Sequence, residues 1–477
     1  MDYEAVIGLE VHVQLKTKSK AFSRSRCSFG ESYNTATDPV TLGLPGAMPV
    51  INFEAIRQAV RAGLIFNCAI AKSCHWDRKS YFYPDSPKNY QITQQHEPLC
   101  VGGSVEIELA GSARNIQGKH RNVRLNRIHL EEDCGKLSHV GNVSLVDFNR
   151  SGVPLAEIVS EPDMHSAEEA VAYLNSIRMH LHGADVSDCD MEKGQMRCDV
   201  NVSLRPSGAV DLGERVEYKN LNSISGVRNA IVHEIVRQSN VLLAGGSMGR
   251  ETRRWDAQRN SSDSMRAKES ARDYCFFREP DIPTVELDEK IVQSLSGSLP
   301  EKPFDRQRRF MENYGLPYTI TSVLCPVAQL ANFFEAVAAH CKNYRAIGNF
   351  IANDILRESA KMGTAISLRI SSEELARLIE AVDSGQISKQ AAQNAIVDAY
   401  GGSAIEHFFA EMGKKNGVDG ELEEICRRAI ESNGKAAAEF RGGKDVAINA
   451  IKGAAMRECG GKADPAAIDR IIRRILN

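Results

Sequence analysis

The amino-acid sequence predicts an α+β fold in which a β-rich N-terminal region precedes an all-helical C-terminal region. Up to about residue 280, apolar and polar residues alternate in many short runs with a period of two, which is typical of half-buried strands. Beyond Leu299-Pro300-Glu301-Lys302-Pro303 the apolar residues recur at helical spacing instead. The chain of 477 residues is also too long for one ordinary core, so we expect about two to four domains.

Composition narrows the class of protein. Hydrophobic residues make up 42% of the chain, charged residues make up 25%, and the formal net charge is −3, as in a soluble globular protein. No window approaches about 18 uninterrupted apolar residues, so we expect no membrane association. The N-terminus runs directly into the first strand pattern without a signal or transit peptide, which favours the cytoplasm. The 12 cysteines include no CxxC pair and are expected to be mostly small hydrophobes.

The stretch from residue 8 to residue 15 is the most informative short strand. Every second residue from Leu9 to Leu15 is apolar, and the other face carries Glu10, His12 and Gln14. Side chains two residues apart on a strand share a face, so Glu10 and His12 can meet over one small volume. A carboxylate and an imidazole there suit a divalent cation. The alternative is the solvent-facing side of an edge strand, and this stretch alone does not decide between them.

The segment from Asp77 to Gln91 combines basic residues, aromatic residues and two prolines. The prolines exclude a regular helix. Lys79 and Lys88 could hold phosphate groups, and aromatic rings such as Tyr81 could stack on a base. A rigid surface loop with its aromatic side chains packed beneath it explains the composition equally well.

Two further segments place acids on predicted strands. The strand from Val123 to Leu130 runs into three consecutive acids, Glu131 to Asp133. Alternation puts His129 and Glu131 on one face and Glu132 on the other. Buried charges need partners, and a metal ion would supply one. Glu157 lies within the apolar run of residues 154–163. An acid among apolar residues is stronger evidence for a functional site than an acid on an exposed edge.

The remaining elements of this region have readable boundaries. Asn52 opens a helix, and residues 105–109 form a strand. Ser166 and Glu169 have the spacing of a capping box at the start of another helix. The clearest alternation runs from Met196 to Arg205, with apolar residues facing inward and Asp199 among the polar ones. Lys219 follows in a charged strand end. Helical spacing then marks residues 329–340, 372–383 and 388–400, and we expect linkers around residues 285–300 and near Gly413–Gly420.

The last 57 residues, from Glu421 onward, predict three short helices with a local excess of basic side chains. Glycines among them let the backbone approach a phosphate backbone closely. A basic but unoccupied helical face is the alternative.

These motifs together closely resemble the GatB family, the B component of the tRNA-dependent amidotransferase GatCAB, and the resemblance runs nearly end to end. The motifs that carry it are Val6-Ile7-Gly8-Leu9-Glu10-Val11-His12, Asp77 to Asp85, Leu130 to Lys136, Pro154 to Asp163, Arg197 to Pro206, Lys219 to Asn222, Glu251 to Arg254, and Gly460-Gly461-Lys462-Ala463-Asp464-Pro465.

The resemblance implies a glutamine-dependent ligase that forms carbon–nitrogen bonds. ATP would phosphorylate the side-chain carboxylate of Glu on tRNA(Gln) or Asp on tRNA(Asn), and ammonia from the glutaminase, GatA, would displace the phosphate. The small partner GatC would join the two larger chains. The implied architecture is a cradle domain over residues 1–290, a helical domain over residues 291–412, and a YqeY-like tail over residues 413–477 that binds tRNA together with the helical domain.

The resemblance also implies roles for individual residues. Mg²⁺ would be held by Glu10, His12, Glu131 and Glu157. ATP would contact Lys79, with Tyr81 and Lys88 as further candidates, and the catalytic group would extend to Glu132, Asp199 and Lys219. Some relatives carry paired cysteines suited to zinc before the Gly43-Leu44-Pro45-Gly46 turn. This chain has only Cys27 there, so we expect no zinc.

Two rival functions remain open at this point. An ATP-dependent ligase acting on a small carboxylic acid would keep the acidic metal site but would have no use for a basic helical tail. A non-enzymatic tRNA-binding scaffold would not need Glu10 or His12 for amidation by the assembled complex.

Overall fold

The computed structural model describes residues 2–109, 118–267, 274–363, 365–459 and 465–476, without the side chains of residues 220, 266–267 and 411–421. Residues 460–464 of the glycine-rich tail motif lie outside this description. The chain forms two compact units, Met1–Ala331 and Asn332–Asn477. The finer three-domain division stays a prediction.

The first unit is rich in strands, as the alternation predicted. Its strands are β1 (Tyr3–Gln14), β2 (Ala69–Ile70), β3 (Ser73–Cys74), β4 (Asp77–Ser80), β5 (Tyr90–Thr93), β6 (Cys100–Val101), β7 (Ser104–Leu109), β8 (Lys119–Glu132), β9 (Lys136–Val140), β10 (Val143–Asp147), β11 (Pro154–Ser160), β12 (Met196–Pro206), β13 (Val216–Leu221), β14 (Glu251–Asp256), β15 (Ser261–Ala267), β16 (Phe276–Arg278) and β17 (Val285–Glu286).

A ten-stranded sheet organises this unit. Its order is β15-β14-β13-β12-β1-β11-β8-β6-β2, and β7 pairs with β8. The central position of β1 means that the alternative of an edge strand was wrong. β1 pairs antiparallel with β11 on one side and with β12 on the other. Its polar face therefore lies beside Glu157 of β11 and beside Arg197 and Asp199 of β12.

The opposite face of the sheet packs on the core. Helices α1 (Phe53–Ile65), α2 (Ala167–Gly183) and α3 (Ile224–Leu243) contribute to it, and α4 (Glu289–Gly297), α5 (Pro303–Tyr314) and α6 (Tyr318–Leu324) follow. The alternation from Met196 to Leu204 buries all five apolar side chains of β12, as predicted. The apolar stripe of α2 is fully buried, with 0% exposure at Ala170, Leu174, Ile177 and Leu181. Burial of these faces drives the packing of the unit.

Helix starts were largely predictable, with one difference. The Asn52 side chain accepts from the Glu54 amide at the start of α1, and the Ser166 side chain accepts from the Glu169 amide at the start of α2. The Glu169 carboxylate accepts from the amide of His165, however, rather than from that of Ser166. In the predicted capping box, the glutamate side chain was expected to accept from the Ser166 amide. It accepts from the amide one residue earlier in the chain.

The linker expected around residues 285–300 was wrong, because this segment is structured. It contains β17 and α4, and Leu295 belongs to the core at 4% exposure. The β17–β3 pairing and the packing of Val285, Leu287 and Leu299 against the core also hold the segment, although its composition resembles that of a linker.

The second unit is helical, as predicted. The helices that follow α6 are α7 (Ala328–His340), α8 (Tyr344–Asn349), α9 (Leu356–Ala360), α10 (Ser372–Asp383), α11 (Lys389–Tyr400), α12 (Ile405–Ser432), α13 (Gly434–Arg441), α14 (Ile448–Glu458) and α15 (Pro465–Leu476), with a π-helical turn at Phe350–Ile355. Gly413–Gly420, expected as a linker, lies inside α12, so that expectation was wrong. The predicted three short terminal helices are instead the end of this 28-residue helix followed by α13, α14 and α15.

Within the described ranges, no single helix combines the length and hydropathy that a membrane crossing requires. One pair, Tyr318–Leu324 with Ala328–His340, meets that test only jointly, and it is bent by 118°.

Candidate active site

The register of four strands aligns polar side chains in one row across the sheet. His129 on β8 faces Glu157 on β11, Glu157 faces His12 on β1, and His12 faces Arg197 on β12. Directly paired residues in antiparallel strands have Cβ atoms about 4.5–5.5 Å apart. The row therefore brings together residues that are far apart in the sequence.

The first cluster of this site is formed by His12, Glu131 and Glu157. One potential ligand atom from each lies within 4.8 Å of the others. His12 Nε2 is 3.3 Å from Glu157 Oε2. His129 Nε2 lies 3.4 Å from the same Glu157 atom and 3.7 Å from Glu131 Oε2. The buried Nδ1 atom of His129 has no hydrogen-bond partner among the described residues.

The second cluster is formed by Glu10, Asp199 and Glu217, whose ligand atoms also lie within 4.8 Å of one another. Glu10 faces Asp199 across the β1–β12 pair. Lys219 Nζ donates to Asp199 at 2.7 Å and lies 2.9 Å from Glu217. Asn201 Nδ2 donates to Glu10 Oε1 at 3.0 Å. A lysine ammonium thus lies among the three carboxylates.

The two clusters line one open cavity of about 410 Å³. Its lining also includes the side chains of Lys79, Tyr81, Arg150, Arg197 and Tyr274. The family resemblance implied one four-ligand group of Glu10, His12, Glu131 and Glu157. The structure instead groups Glu10 with Asp199 and Glu217, next to the trio that contains His12.

Charges in the first cluster interact strongly because the Glu131 and His129 side chains are each only 3% exposed, and those of His12 and Glu157 are 23% and 13% exposed. Burial lowers the pKa of His129, but the Glu157 charge opposes this and raises it to about 9 overall. Burial likewise opposes the shift at His12, whose pKa is raised by Glu157. Burial would raise the pKa of Glu157, yet His129 and His12 hold it well below the usual range. All three shifts favour a negatively charged Glu157 beside positively charged imidazoles.

In the second cluster, negative charges repel one another. Burial raises the pKa of Glu10, and the nearby Glu157 and Asp199 charges raise it further. Burial lowers the pKa of Lys219, but Asp199 and Glu217 outweigh it and the net shift is upward. The ammonium is thus held charged by the acids around it, and additional positive charge nearby would relieve the repulsion at Glu10.

Positively charged side chains also line the cavity. Lys79 Nζ lies 3.8 Å from Glu131 Oε1 and 4.7 Å from the centroid of the Tyr274 ring. Arg197 donates to the buried Asp133 at 2.7 Å. Burial would raise the pKa of Asp133, but Arg197 and Arg150 lower it. Asp133 therefore holds both guanidinium groups at the cavity wall.

Two predicted site residues lie outside the cavity lining. Lys88 and Glu132 form an ion pair with each other, and their side chains are only 9% and 5% exposed. The Glu132 carboxylate also accepts from the Ile92 amide at 2.9 Å. Glu132 points away from Glu131 because adjacent residues of β8 face opposite sides of the sheet. The structure thus separates this pair from the other predicted residues.

Several residues in the cavity lining, and His129 beside it, were not assigned a role from the sequence. His129 had been placed on the face of Glu131, and Glu217 lies in the same strand end as Lys219, which was recognised only as charged. Arg197 had been placed on a polar strand face, and Asp133 had been read as one of three acids. The available signal was the period of two on each strand, but the strand order that joins the faces is not visible in the sequence.

The donor set fits a divalent cation. Carboxylate oxygens are the ligands that Mg²⁺ and Mn²⁺ prefer, and His12 adds an imidazole nitrogen as a further donor for a divalent metal. Lysine and arginine side chains beside such ligands can bind a polyanion. The arrangement can therefore hold a metal ion and a phosphate-bearing ligand side by side.

Comparison with known proteins agrees with this arrangement. The family described as the GatB/GatE catalytic domain matches residues 5–293, and the family described as the GatB domain matches residues 332–476. The B chain of the aspartyl/glutamyl-tRNA(Asn/Gln) amidotransferase of Opitutus terrae is 50% identical, over 100% of this chain and 99% of that relative. Proteins of the same name from Methylacidiphilum infernorum and Carboxydothermus hydrogenoformans are 43% and 41% identical, over 100% and 99% of this chain and 99% and 98% of their own lengths.

Proposed function

Because the chain belongs to the GatB family, we propose that it is the GatB component of a glutamine-dependent aminoacyl-tRNA amidotransferase. In this role it catalyses ATP-dependent activation of a mischarged aminoacyl-tRNA, Glu-tRNA(Gln), Asp-tRNA(Asn) or both. The products of the complex are Gln-tRNA(Gln) and Asn-tRNA(Asn). The relatives that share this chain's full length carry aspartyl/glutamyl-tRNA(Asn/Gln) in their names.

The chemistry requires two steps. A carboxylate does not react with ammonia at neutral pH, so its oxygen first attacks the γ-phosphorus of ATP, which gives an acyl phosphate and ADP. Ammonia then attacks the acyl carbon, the carbon–oxygen bond to phosphate breaks, and inorganic phosphate leaves with the amide in place. The first step brings an anionic carboxylate against an anionic triphosphate, so positive charge must be held in position before the reactants meet.

The cavity supplies residues for each of these tasks. Mg²⁺ would be held by His12, Glu131 and Glu157, with Glu10 and Asp199 as ligands of a neighbouring position, and it would neutralise phosphate charge and orient the transferring group. Lys79, Lys219 and Arg197 donate to the phosphate oxygens or to the substrate carboxylate. Asp133 keeps Arg197 oriented, and Tyr81 forms part of the wall beside Lys79. Lys88 and Glu132 support the site as a buried ion pair.

One observation carries this proposal. Two groups of potential metal ligands lie side by side in one cavity of about 410 Å³ with lysine and arginine side chains in its lining. Phosphoryl transfer depends on that combination of metal ligands and cations. A simple structural ion-pair network would not need two acidic groups opening on a shared cavity.

The rest of the chain fits the larger assembly. We propose that residues 1–290 form the kinase domain, that residues 291–412 and the tail at residues 413–477 bind tRNA, and that GatA and GatC complete a heterotrimer in the cytoplasm, where aminoacyl-tRNA is used. GatA, the glutaminase, would supply ammonia. We further propose that the region of Cys27 holds no structural zinc.

Reconstitution tests the proposal directly. The chain is co-expressed with GatA and GatC and assayed separately on Glu-tRNA(Gln) and Asp-tRNA(Asn), with and without ATP and Mg²⁺. We expect amidation of at least one substrate that requires both ATP and Mg²⁺, with one ADP formed per amide. Amidation that proceeds without ATP, or that persists unchanged in the His12→Ala complex, would contradict the proposed role.

A further inference from the structure

His129 is a buried histidine beside the first cluster, and the chemistry proposed above gives it no role. Its side chain is only 3% exposed. His12, Glu131 and Glu157 line the active-site cavity, but His129 does not. Burying a polar ring costs free energy unless its polar atoms find partners, so the contacts of its two nitrogens are informative.

The two nitrogens of the His129 ring differ in what surrounds them. Nε2 lies 3.4 Å from Glu157 Oε2 and 3.7 Å from Glu131 Oε2. Both distances are longer than an ordinary hydrogen bond, as expected for one N–H group that points between two acceptors. Nδ1 has no hydrogen-bond partner in the part of the chain that the structure describes. The ring is therefore oriented for its contacts through Nε2.

These contacts join carboxylates from two strands. Glu131 lies two residues from His129 on β8, and Glu157 lies directly opposite His129 on β11. Two carboxylates at this separation repel each other, and an N–H group shared between them opposes the repulsion. Because both carboxylates line the cavity and His129 does not, the histidine holds them from behind.

His12 cannot take over this task when a metal ion is bound. Its Nε2 atom lies 3.3 Å from Glu157 Oε2, but His12 lines the cavity and is itself a proposed ligand. An imidazole nitrogen that binds a metal ion uses its lone pair and carries no proton, so it no longer donates to a carboxylate. In the loaded site, His129 is therefore the imidazole that remains to orient Glu157.

We propose that His129 is a positioning residue that holds Glu131 and Glu157 in the arrangement that binds the divalent cation, whereas His12 is the imidazole ligand. This inference rests on the proposed function, because the metal ion belongs to that proposal. Removing a group that orients metal ligands from behind typically weakens metal binding by about ten- to a hundredfold. The expected effect is therefore measurable.

Three substitutions of His129 separate the position of the donor from the loss of the ring. His129→Gln places an amide nitrogen near the position of Nε2, and His129→Asn places one near the position of Nδ1. His129→Met has the length of glutamine but no donor. All three side chains are neutral, so differences among them report the donor and not the charge. His180→Met is the control, because His180 is 6% exposed on α2, contacts the Ser176 carbonyl and does not line the cavity.

Each variant is prepared in the complex with its partner chains. Mn²⁺ is titrated without ATP or tRNA and is followed by pulsed electron paramagnetic resonance, which detects an imidazole nitrogen coordinated to bound Mn²⁺. The second cluster consists of Glu10, Asp199 and Glu217, which offer only carboxylates. The nitrogen signal therefore reports binding at the first cluster.

We expect one coordinated imidazole in the wild type, absent in His12→Ala and retained in His129→Gln. Mn²⁺ should bind to His129→Asn and to His129→Met at least about tenfold more weakly than to His129→Gln. His180→Met should bind Mn²⁺ as the wild type does.

Loss of the nitrogen signal in His129→Gln would make His129 a ligand, and equal Mn²⁺ affinities in the three variants would make it a structural residue. Either result would overturn the inference and leave the proposed function standing. If His129→Met does not assemble, the comparison of His129→Gln with His129→Asn decides by the same criterion. If the wild-type complex binds Mn²⁺ without a coordinated imidazole, the proposed metal site fails and this inference fails with it.

Discussion

His12 Nε2 lies 3.3 Å from Glu157 Oε2, and the two residues face each other in the antiparallel pair of β1 and β11. Glu157 faces His129 on its other side. One carboxylate therefore lies between two imidazoles in the middle of the sheet. This relationship links the stability of the N-terminal unit to pH and links its activity to the same few atoms.

The stability of the metal-free protein should depend on the protonation of His129. Its pKa is raised to about 9 in the folded protein, against about 6.5 when unfolded. The stabilisation is therefore fully present below pH 6.5 and is lost as the pH rises through 9. We expect the free energy of unfolding in EDTA to fall by an amount on the order of 3 kcal/mol across that range.

Urea unfolding followed by tryptophan fluorescence measures this change, because both tryptophans, Trp76 and Trp255, are buried in the first unit. His129→Asn should make the free energy of unfolding less dependent on pH in this range. His139→Asn, on the exposed part of β9, should leave the pH dependence unchanged. A stability that rises between pH 6.5 and pH 9 would exclude a charged His129.

Glu157→Gln should abolish most of the activity. The substitution keeps the side chain's size but removes the charge that pairs with His12 and His129, and it weakens the proposed metal site. We expect ATP-dependent amidation by the reconstituted complex to fall at least about 100-fold. Glu161→Gln is the matched control, because Glu161 hydrogen-bonds to Asn126 near the surface. Full activity in Glu157→Gln would mean that this row of residues is structural.

Lys219→Met should separate metal binding from catalysis. Without the ammonium, Asp199 and Glu217 lose the cation that lies 2.7 Å and 2.9 Å from them and repel each other and Glu10 more strongly, so Mn²⁺ should bind to the three carboxylates more tightly, by about tenfold. Amidation should nevertheless fall, since Lys219 no longer contacts the reacting anions. Electron paramagnetic resonance measures the Mn²⁺ affinity at pH 8. Lys193→Met, at an exposed ion pair with Asp190, serves as the control, and equal affinities in both variants would contradict the argument.

Core packing beneath the site should dominate the stability of the first unit. Ile158 on β11 is 0% exposed and lies between Glu157 and Val159 on the opposite face of the strand. Ile158→Ala should reduce the free energy of unfolding by about 2–5 kcal/mol through lost contacts and a residual cavity. Val236→Ala, at a side chain that is 53% exposed on α3, should change it by less than about 0.5 kcal/mol. Urea unfolding followed by tryptophan fluorescence measures the free energy of unfolding of both variants.

The basic tail should contact tRNA through its unpaired arginines. Arg473 and Arg474 already pair with Asp445 and Glu423. In the portion of the tail that the structure describes, Arg457 and Arg470 are exposed and form no ion pair. Removing both should weaken tRNA binding and reduce the slope of log affinity against log salt by about one for each lost contact.

Filter binding at several salt concentrations measures that slope. Arg428→Ala is the control because Arg428 pairs with Glu458. An unchanged slope in the Arg457→Ala, Arg470→Ala double variant would place the tRNA contacts elsewhere.

Local pattern was sufficient for much of the fold. The alternation in β12 and the stripe on α2 predicted the buried faces correctly, because both depend only on the repeat of the backbone. The same reasoning failed at Gly413–Gly420, where glycines suggested a break and the helix continues. Glycine costs only about 1 kcal/mol in a helix interior, so the contacts of the flanking turns can carry the helix through.

The sequence by itself determined which side chains share a strand face, such as Glu10 with His12 and His129 with Glu131, because alternation is a local property of an extended chain. Only the tertiary structure decided that Glu157 lies between two histidines, that Glu10 joins Asp199 and Glu217, and that Lys88 pairs with Glu132 away from the cavity. Strand order and register depend on burying the opposite, apolar faces together in one core. The free energy gained by this burial depends on contacts between residues that are distant in the sequence, so it cannot be inferred from any single stretch of the chain.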